Sequence, residues 1–287
     1  MNDAPEFLTV PELAELLRVK ERKVYDLAAS GSVPCTRATG KLLFPESEIR
    51  AWIARNQSGH RPPRPGVFLG SNDPLLEWAL RQSQCGLATY LDGSADGLRR
   101  FALGEGIATG LHIQNQKDDG WNTEFVARTH MHDNVVLLAW AQRERGLVYK
   151  ESMDRTVRDL KDIEGLKVAI RQPQSGAAKH FDRMIQKVGV QGFEAVGPYF
   201  SEQDAILAVV DGAADVAFGL EFFAHRFGLS CCSVVTERFD ILVDRAAFFD
   251  PQFQTFHNFC QSDAFQKHAA TMKGYAIDDI GHTRWNA

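Results

Sequence analysis

Apolar residues recur at helical spacing near the start of the chain, where they predict two short helices. Thr9 suits an N-cap, and the apolar stripe behind it predicts an amphipathic helix from Val10 to Leu17. The residues of this stripe are Leu13, Leu16 and Leu17. A second helix is predicted from Glu21 to Ala29, with Ser30 and a glycine ending it.

Two β-prone runs and a third helical pattern follow. Residues 33–37 and 41–44 flank a glycine turn, which predicts a β-hairpin. A third helix is predicted from Glu46 to Asn56, because Ile49, Trp52 and Ile53 have helical spacing. The first 56 residues therefore predict a small winged helix-turn-helix domain, with the hairpin as its wing.

The second helix carries side chains that suit DNA. In a helix-turn-helix unit the second helix can enter the major groove, and Lys and Arg neutralise phosphates there. The residues expected to face DNA are Lys20, Arg22, Lys23 and Tyr25. The chain as a whole has a net charge of −5, so any DNA contact must come from a local patch.

This N-terminal segment resembles the excisionase-like branch of the MerR-type winged helix-turn-helix domains. The resemblance rests on Phe7 to Val10, Val24-Tyr25, Gly31 to Pro34, Phe44-Pro45 and Ile49 to Trp52. It implies double-stranded DNA as a partner, with the wing beside the recognition helix. The wing residues Arg37 and Lys41 are then expected to contact DNA. A protein-binding module is the alternative, because acids and bases are balanced in this segment.

A proline-rich stretch divides the chain. Residues 57–65 lack apolar periodicity, and their prolines favour an extended path. The predicted organisation is a DNA-binding domain at residues 1–56, a linker at 57–65 and a ligand-binding domain at 66–287.

The larger segment alternates short apolar runs with amphipathic helices, which indicates βαβ units and a largely parallel sheet. Strands are predicted at residues 67–70, 86–90 and 166–170, each followed by a polar turn and a helix. Free backbone N–H groups at such helix starts favour an anion. The polar residues in these turns are Ser71, Asn72, Ser94, Arg171 and Ser175, and the backbone N–H of Gly176 is a further candidate donor. A structural role as helix caps, or a surface ion pair for Arg171, is the alternative.

Residues 66–287 resemble the type II periplasmic-binding-protein fold, especially the cytoplasmic substrate-binding-like domains fused to helix-turn-helix modules. The resemblance rests on Gly70 to Leu76, Gly93-Ser94, Gly110 to His112, Trp121-Asn122, Arg143 to Leu147, Arg171-Gln172 with Ser175-Gly176, and Gly212 to Gly219. It implies two lobes and a ligand between them. The fold class is therefore α/β, with a winged helix-turn-helix domain before a two-lobed ligand-binding domain.

The resemblance also implies which residues contact the ligand. These are Ser71, Ser94, Arg171, Ser175 and Tyr199, with Asn72, His112 and Asn122 as further candidates. Relatives of this domain type handle molybdate and tungstate, so these oxyanions are the first expectation and a small organic acid is the second. The family often has Gly-Thr-Arg after the second-lobe serine, whereas Ala177 and Ala178 follow Gly176 here, which weakens the oxyanion assignment.

Several classes of protein are disfavoured by the sequence. No basic start precedes an apolar stretch and no apolar run reaches membrane-spanning length, so a cytoplasmic protein without a membrane partner is expected. The scattered cysteines are expected to be reduced thiols, with Cys231 and Cys232 the one pair that suggests a redox sensor. His130 and His132 are expected to be polar loop residues rather than metal ligands.

The resulting hypothesis is a ligand-responsive transcription regulator without cofactor or catalytic activity. No nucleophile elbow, P-loop, zinc signature or dinucleotide fingerprint is present. Ligand closes the lobes about two strands near residues 135–139 and 236–242, and a homodimer is expected from the two-fold geometry of helix-turn-helix operators. An enzyme whose residues converge only in space and an excisionase-like DNA-binding accessory factor are the alternatives.

Overall fold

The chain forms two compact units, residues 1–63 and 64–287. The structure is a computed structural model that describes residues 6–37, 40–55, 63–115, 120–131 and 133–287. Most of the expected linker lies outside the described residues. Each unit has its own buried apolar core.

The smaller unit contains three helices and a two-stranded sheet. Its elements are β1 (Phe7–Leu8), α1 (Val10–Leu17), α2 (Glu21–Ala29), β2 (Phe44–Pro45) and α3 (Glu46–Arg55). The backbone N–H and hydroxyl of Thr9 both donate to Glu12 Oε2 at 2.7 Å, which fixes the start of α1. Leu13 is fully buried, but the prediction that Leu16 lies inward was wrong, since it is 41% exposed. The residues of α1 that pack inward are Val10, Leu13, Ala14 and Leu17. Leu16 lies on a different face of the helix.

The wing is shorter than the sequence indicates. Thr36 and Leu43 form one antiparallel bridge, with backbone N–H to carbonyl distances of 2.8 and 3.0 Å. Phe44 pairs instead with Leu8 of β1, so the second run of the hairpin passes from the wing into the small sheet.

The larger unit is an α/β structure built on one curled sheet. Its strands are β3 (Val67–Gly70), β4 (Ala88–Tyr90), β5 (Ala108–Leu111), β6 (Val135–Tyr149), β7 (Lys167–Arg171), β8 (Glu194–Tyr199), β9 (Val216–Leu220), β10 (Ser230–Asp244), β11 (Tyr275–Ala276) and β12 (Thr283–Asn286). Its helices are α4 (Pro74–Gln82), α5 (Ser94–Ala102), α6 (Thr123–His130), α7 (Gly176–Val188), α8 (Glu202–Val210), α9 (Glu221–Arg226), α10 (Arg245–Phe248), α11 (Pro251–Cys260) and α12 (Asp263–Ala270). A short 3-10 helix covers Leu160–Ile163.

The strand order separates two lobes. The order is β4-β3-β5-β10-β6-β9-β7-β8, with parallel strands at both ends and antiparallel pairing of β10 and β6 in the centre. β10 pairs with β5 of the first lobe, and β6 pairs with β9 of the second. These two 15-residue strands include the segments expected to cross between the lobes, and they join the two half-sheets into one.

A buried ion network lies on the two crossing strands. Arg143 and Arg145 are two residues apart on β6, so they point to the same face of the strand. Arg143 Nη1 donates to Asp73 Oδ2 at 2.8 Å, and its Nη2 donates to Glu237 of β10. Arg145 Nε donates to Glu237 Oε2 at 3.1 Å. All four of these side chains are at most 1% exposed.

Further contacts connect this network to both lobes. Arg145 donates from Nη1 and Nη2 to the two carboxylate oxygens of Glu202, on α8 of the second lobe, at 3.0 and 3.1 Å. Asp73 caps α4 of the first lobe and accepts from Trp140 Nε1 at 3.0 Å and Tyr275 Oη at 2.7 Å. Burial alone would raise the pKa of Glu237, but Arg143 and Arg145 hold it well below its ordinary value.

His130 differs from its prediction. It ends α6 rather than lying in a loop, its side chain is 4% exposed, and its Nδ1 lies 2.8 Å from Asp133 Oδ2. His132 lies outside the described residues.

The cysteines are free thiols where the structure describes them. Burial raises the pKa of Cys231 to about 12 and also raises that of Cys232, which lowers the thiolate fraction of both. Within the described ranges, no helix is long and apolar enough to cross a membrane.

Removing Glu237 from the network is expected to destabilise the larger unit. The substitution Glu237→Gln leaves two buried guanidinium groups without their shared carboxylate, and we expect a loss of about 3 to 5 kcal/mol in unfolding free energy. Urea denaturation followed by tryptophan fluorescence measures it, because Trp140 lies in the cluster. The control Glu77→Gln breaks an exposed pair with Arg81 and should cost less than about 1 kcal/mol.

The same substitution should change the pH dependence of stability. Because the folded pKa of Glu237 is depressed, its stabilisation is fully present above its unfolded pKa of about 4.5 and is lost as pH falls through the folded value. Below pH ~4.5 the wild-type free energy of unfolding should therefore fall more steeply than that of Glu237→Gln. Parallel pH profiles, or equal stability of Glu237→Gln and Glu77→Gln at pH 7, would contradict this role.

Candidate functional site

A cleft of about 700 Å³ lies between the lobes, at the carboxyl ends of the parallel strands. Its walls are the turns that follow β3, β4, β5, β7, β8 and β9, together with α4 and with β6 through Arg145. In open α/β sheets the carboxyl ends of the strands are the usual position of a ligand. The cleft is therefore the candidate ligand site.

The first lobe contributes two serines that meet each other. Ser71 follows β3 and Ser94 begins α5, and their hydroxyl oxygens are 2.8 Å apart. Ser94 Oγ also accepts from the backbone N–H of His112 at 3.1 Å. Both serines are buried, whereas Asn72 is exposed and lines the cleft beside Ser71. Of the two serines, Ser71 lines the cleft and Ser94 lines a neighbouring cavity.

His112 connects the cleft to the ion network. It follows β5, its Nδ1 lies 3.3 Å from Glu237 Oε2, and its ring stacks on Phe239 at 5.9 Å between centroids. Gly176 of the second lobe approaches this ring so closely that an added Cβ would lie 3.1 Å from His112 Cε1. His112 and Gly176 line both the cleft and the neighbouring cavity, so they mark the boundary between the two, which is called the partition below.

The second lobe contributes Arg171 and Ser175. Arg171 ends β7, and its guanidinium donates to the backbone carbonyls of Tyr199 and Phe200 at 3.3 and 2.9 Å. Burial lowers the pKa of Arg171. Arg171 makes no ion pair with a described residue, but the carboxylates of Glu202 and Asp204 are near enough to oppose this lowering of its pKa. Ser175 caps α7, where its Oγ accepts from Ala178 N at 3.0 Å and its O–H is left to donate.

Besides Ser94, two of the expected contacts lie outside the cleft lining. Asn122 is fully buried, and its Oδ1 accepts from Ile113 N at 2.6 Å while its Nδ2 donates to Asp240 Oδ2 at 2.7 Å. Its amide is used in holding the turn after β5. The side chain of Tyr199 packs against the core of the second lobe. Its backbone carbonyl accepts a hydrogen bond from Arg171 and so helps to position that guanidinium in the cleft wall.

Sequence reasoning missed the acidic and aromatic part of the lining. The acidic residues are Glu77, Asp92, Glu202 and Asp204, and the aromatic ones are Trp78, Phe200, Phe222 and Phe223. Glu202 and Asp204 could have been found, because they begin α8 after a strand and the cap Ser201, in the same pattern as the other turns. For the aromatic residues, the sequence contains no pattern that distinguishes a side chain lining the cleft from one buried in the core.

In the smaller unit, the residues expected to face DNA are all exposed. They are Lys20, Arg22, Lys23 and Tyr25 on and before α2, and Arg37 and Lys41 on the wing. Tyr25, Arg37 and Lys41 line one groove of about 500 Å³ between α2 and the wing. Val24, between these residues, is fully buried, so α2 presents its polar face outward.

A search of the described ranges finds no group of three or more His, Cys, Asp or Glu residues that could hold a metal ion.

Comparison with known proteins identifies both units. A family model described as a PBP superfamily domain matches residues 77–261, and one described as a helix-turn-helix domain matches residues 7–57. The uncharacterized protein YvgK of Bacillus subtilis (strain 168) is 24% identical over 270 residues, which cover 85% of this chain and 86% of that protein.

Solved structures with a similar fold include two arginine-binding proteins. An ancestral arginine-binding protein bound to arginine has a TM-score of 0.48 and 14% identity, covering 75% of this chain and 100% of its own. A mutant of ArgBP from T. maritima has a TM-score of 0.48 and 14% identity, covering 72% and 93%. The effector binding domain of QuiR in complex with shikimate has a TM-score of 0.45 and 11% identity, covering 70% and 96%.

Both domains are of binding types, and the larger family model spans more than half of the chain. The protein therefore belongs to the PBP superfamily and carries a helix-turn-helix domain ahead of its PBP superfamily domain.

Proposed function

We propose that this protein is a ligand-responsive transcription regulator, which binds double-stranded DNA through its helix-turn-helix domain and a small organic acid in the interlobe cleft. It acts without a catalytic step. The proposal joins the two domain types of the chain, since one is a DNA-binding type and the other a ligand-binding type.

Arg171 is the observation that carries the ligand assignment. Its guanidinium is held in the cleft wall by hydrogen bonds to two backbone carbonyls. It forms no ion pair with a carboxylate of the described residues. Burying a cation costs free energy unless an anion accompanies it. A ligand carboxylate can accept from the remaining N–H groups of Arg171 and from the hydroxyl of Ser175, at the N-terminus of α7.

The rest of the cleft favours an organic acid over molybdate or tungstate. A volume of about 700 Å³ exceeds what a single tetrahedral oxyanion fills, and it lies within the range of small-molecule pockets. Trp78, Phe200 and Phe222 offer apolar surface to a carbon skeleton. Asp92 and Asp204 would repel a compact dianion, whereas they can accept from N–H or O–H groups of an organic ligand.

DNA binding is assigned to the exposed basic face of α2 and to the wing. Lys20, Arg22 and Lys23 suit phosphate contacts, and Tyr25 with the wing residues lines the adjoining groove. A homodimer is part of the proposal, because two-fold operators match paired helix-turn-helix units. Ligand can regulate DNA binding only if its affinity differs between the DNA-binding states.

A thermal-shift screen of the purified protein tests the ligand assignment. We expect no response to molybdate, tungstate, sulfate or phosphate, and stabilisation by at least one member of a panel of small aliphatic carboxylic acids. At 100 times its Kd a ligand stabilises by about 2.7 kcal/mol, which corresponds to roughly 5 to 10 °C for a domain of this size. The shift should vanish in Arg171→Leu, because the carboxylate loses its cationic partner.

The matched control is Arg128→Leu, which removes an exposed arginine outside the cleft and should keep the shift. Stabilisation by molybdate that depends on Arg171 would keep the regulator and replace the ligand class. A shift that survives Arg171→Leu would contradict the role given to this residue.

A DNA-binding measurement tests the smaller unit. The double variant Arg22→Ala/Lys23→Ala should weaken binding to a mixed-sequence duplex and lower the slope of log K against log salt by about two, because two phosphate contacts are lost. Fluorescence anisotropy at several salt concentrations measures this. Lys267→Ala, in the larger unit, should leave the slope unchanged, and an unchanged slope in the double variant would move the DNA contact elsewhere.

A further inference from the structure

A second cavity, of about 470 Å³, lies on the other side of the His112–Gly176 partition. Its walls come from α5, α6 and the turn after β5 in the first lobe, and from α7 in the second. Of the described residues, it shares the two partition residues and no others with the cleft lining. A compound in this cavity would therefore contact both lobes without occupying the cleft.

The lining combines apolar surface with positive charge. Its apolar part includes Leu98, Ile113, Trp121 and Phe125, and its charged part consists of Arg99, Lys179 and Arg183. No acidic residue belongs to the lining that the structure describes, in contrast to the cleft. Arg99 is paired with Asp96, whereas Lys179 is exposed and makes no ion pair with a described residue. This combination suits a small anion with a flat apolar body.

His180, which lines the second cavity, adds a requirement for the hydrogen bonding of a ligand. Its Nδ1 lies 2.9 Å from Gln114 Oε1, and Arg183 Nη1 donates to the same oxygen at 2.8 Å. Since arginine can only donate, Oε1 is an acceptor, and His180 Nδ1 must therefore carry a proton. Burial lowers the pKa of His180 to about 4, so the ring is neutral near pH 7.

The other ring nitrogen of His180 is then a bare acceptor. The residue is 6% exposed and lines the second cavity, and its Nε2 has no hydrogen-bond partner among the described residues. A buried polar atom without a partner costs free energy. Nε2 has almost no accessible surface, so a ligand that donates a hydrogen bond to it recovers this cost only by displacing a neighbouring lining group.

We infer that this cavity is a second ligand site, distinct from the cleft, which takes a small aromatic carboxylate bearing an N–H or O–H donor. The carboxylate pairs with Lys179 and Arg183 at the rim, the ring packs against Trp121 and Phe125, and the donor bonds His180 Nε2. The assignment does not depend on the identity of the cleft ligand.

Three matched probes test the assignment by isothermal titration calorimetry on the full chain. Indole-3-acetate has the carboxylate, the flat apolar body and the N–H donor; 1-naphthaleneacetate lacks the donor, and tryptophol lacks the carboxylate. Indole-3-acetate should bind at least tenfold more tightly than either of the others. Absence of binding by all three would overturn the site, and equal binding of the two acids would overturn the role of His180 Nε2.

Variants separate this site from the cleft. Lys179→Glu, an exposed change on α7, should weaken indole-3-acetate at least tenfold, and Lys187→Glu on the same helix should leave it unchanged. Ala102→Trp fills the cavity and should also abolish binding, whereas Arg171→Leu should not affect it. Binding that is lost in Arg171→Leu and kept in Lys179→Glu would place the acid in the cleft and overturn the inference.

Discussion

The larger unit depends on the pairing of guanidinium and carboxylate groups along its two crossing strands. Arg143 and Arg145 of β6 share Glu237 of β10, and they also bind Asp73 of the first lobe and Glu202 of the second. Each of these charges would be costly to bury alone, so the members are stable only together. Because the strands that carry them join both half-sheets, the same contacts set how the lobes meet at the base of the cleft.

The network also shapes what the cleft can bind. Arg145 and Glu202 belong to its lining but are already paired with each other, whereas Arg171 is held by neutral carbonyls. Arg145 is therefore part of the frame of the cleft. His112 extends the frame to the partition, since it contacts Glu237 on one side and faces Gly176 on the other. The cleft and the second cavity consequently share His112 and Gly176 in their linings.

The two cavities differ in charge although they are neighbours. Acidic and basic side chains are mixed in the cleft, while the described charges around the second cavity are basic. Both are walled by the two lobes, so an occupant of either contacts both halves of the unit. A protein built in this way can let two different compounds favour one arrangement of its lobes, which is the thermodynamic basis of coupled binding.

The sequence by itself determined the helices, the strand–turn–helix units and the polar residues at their starts, because capping and apolar periodicity are local properties. Ser71, Arg171 and Ser175 could be assigned to one cleft from these signals, since parallel strands bring their carboxyl ends to one edge. Tertiary structure alone decided that Asn122 is used internally and that Glu237 lies between two arginines. Those contacts join residues about 90 to 120 positions apart, and only the pairing of β6 with β10 and the packing of the turn after β5 bring them together.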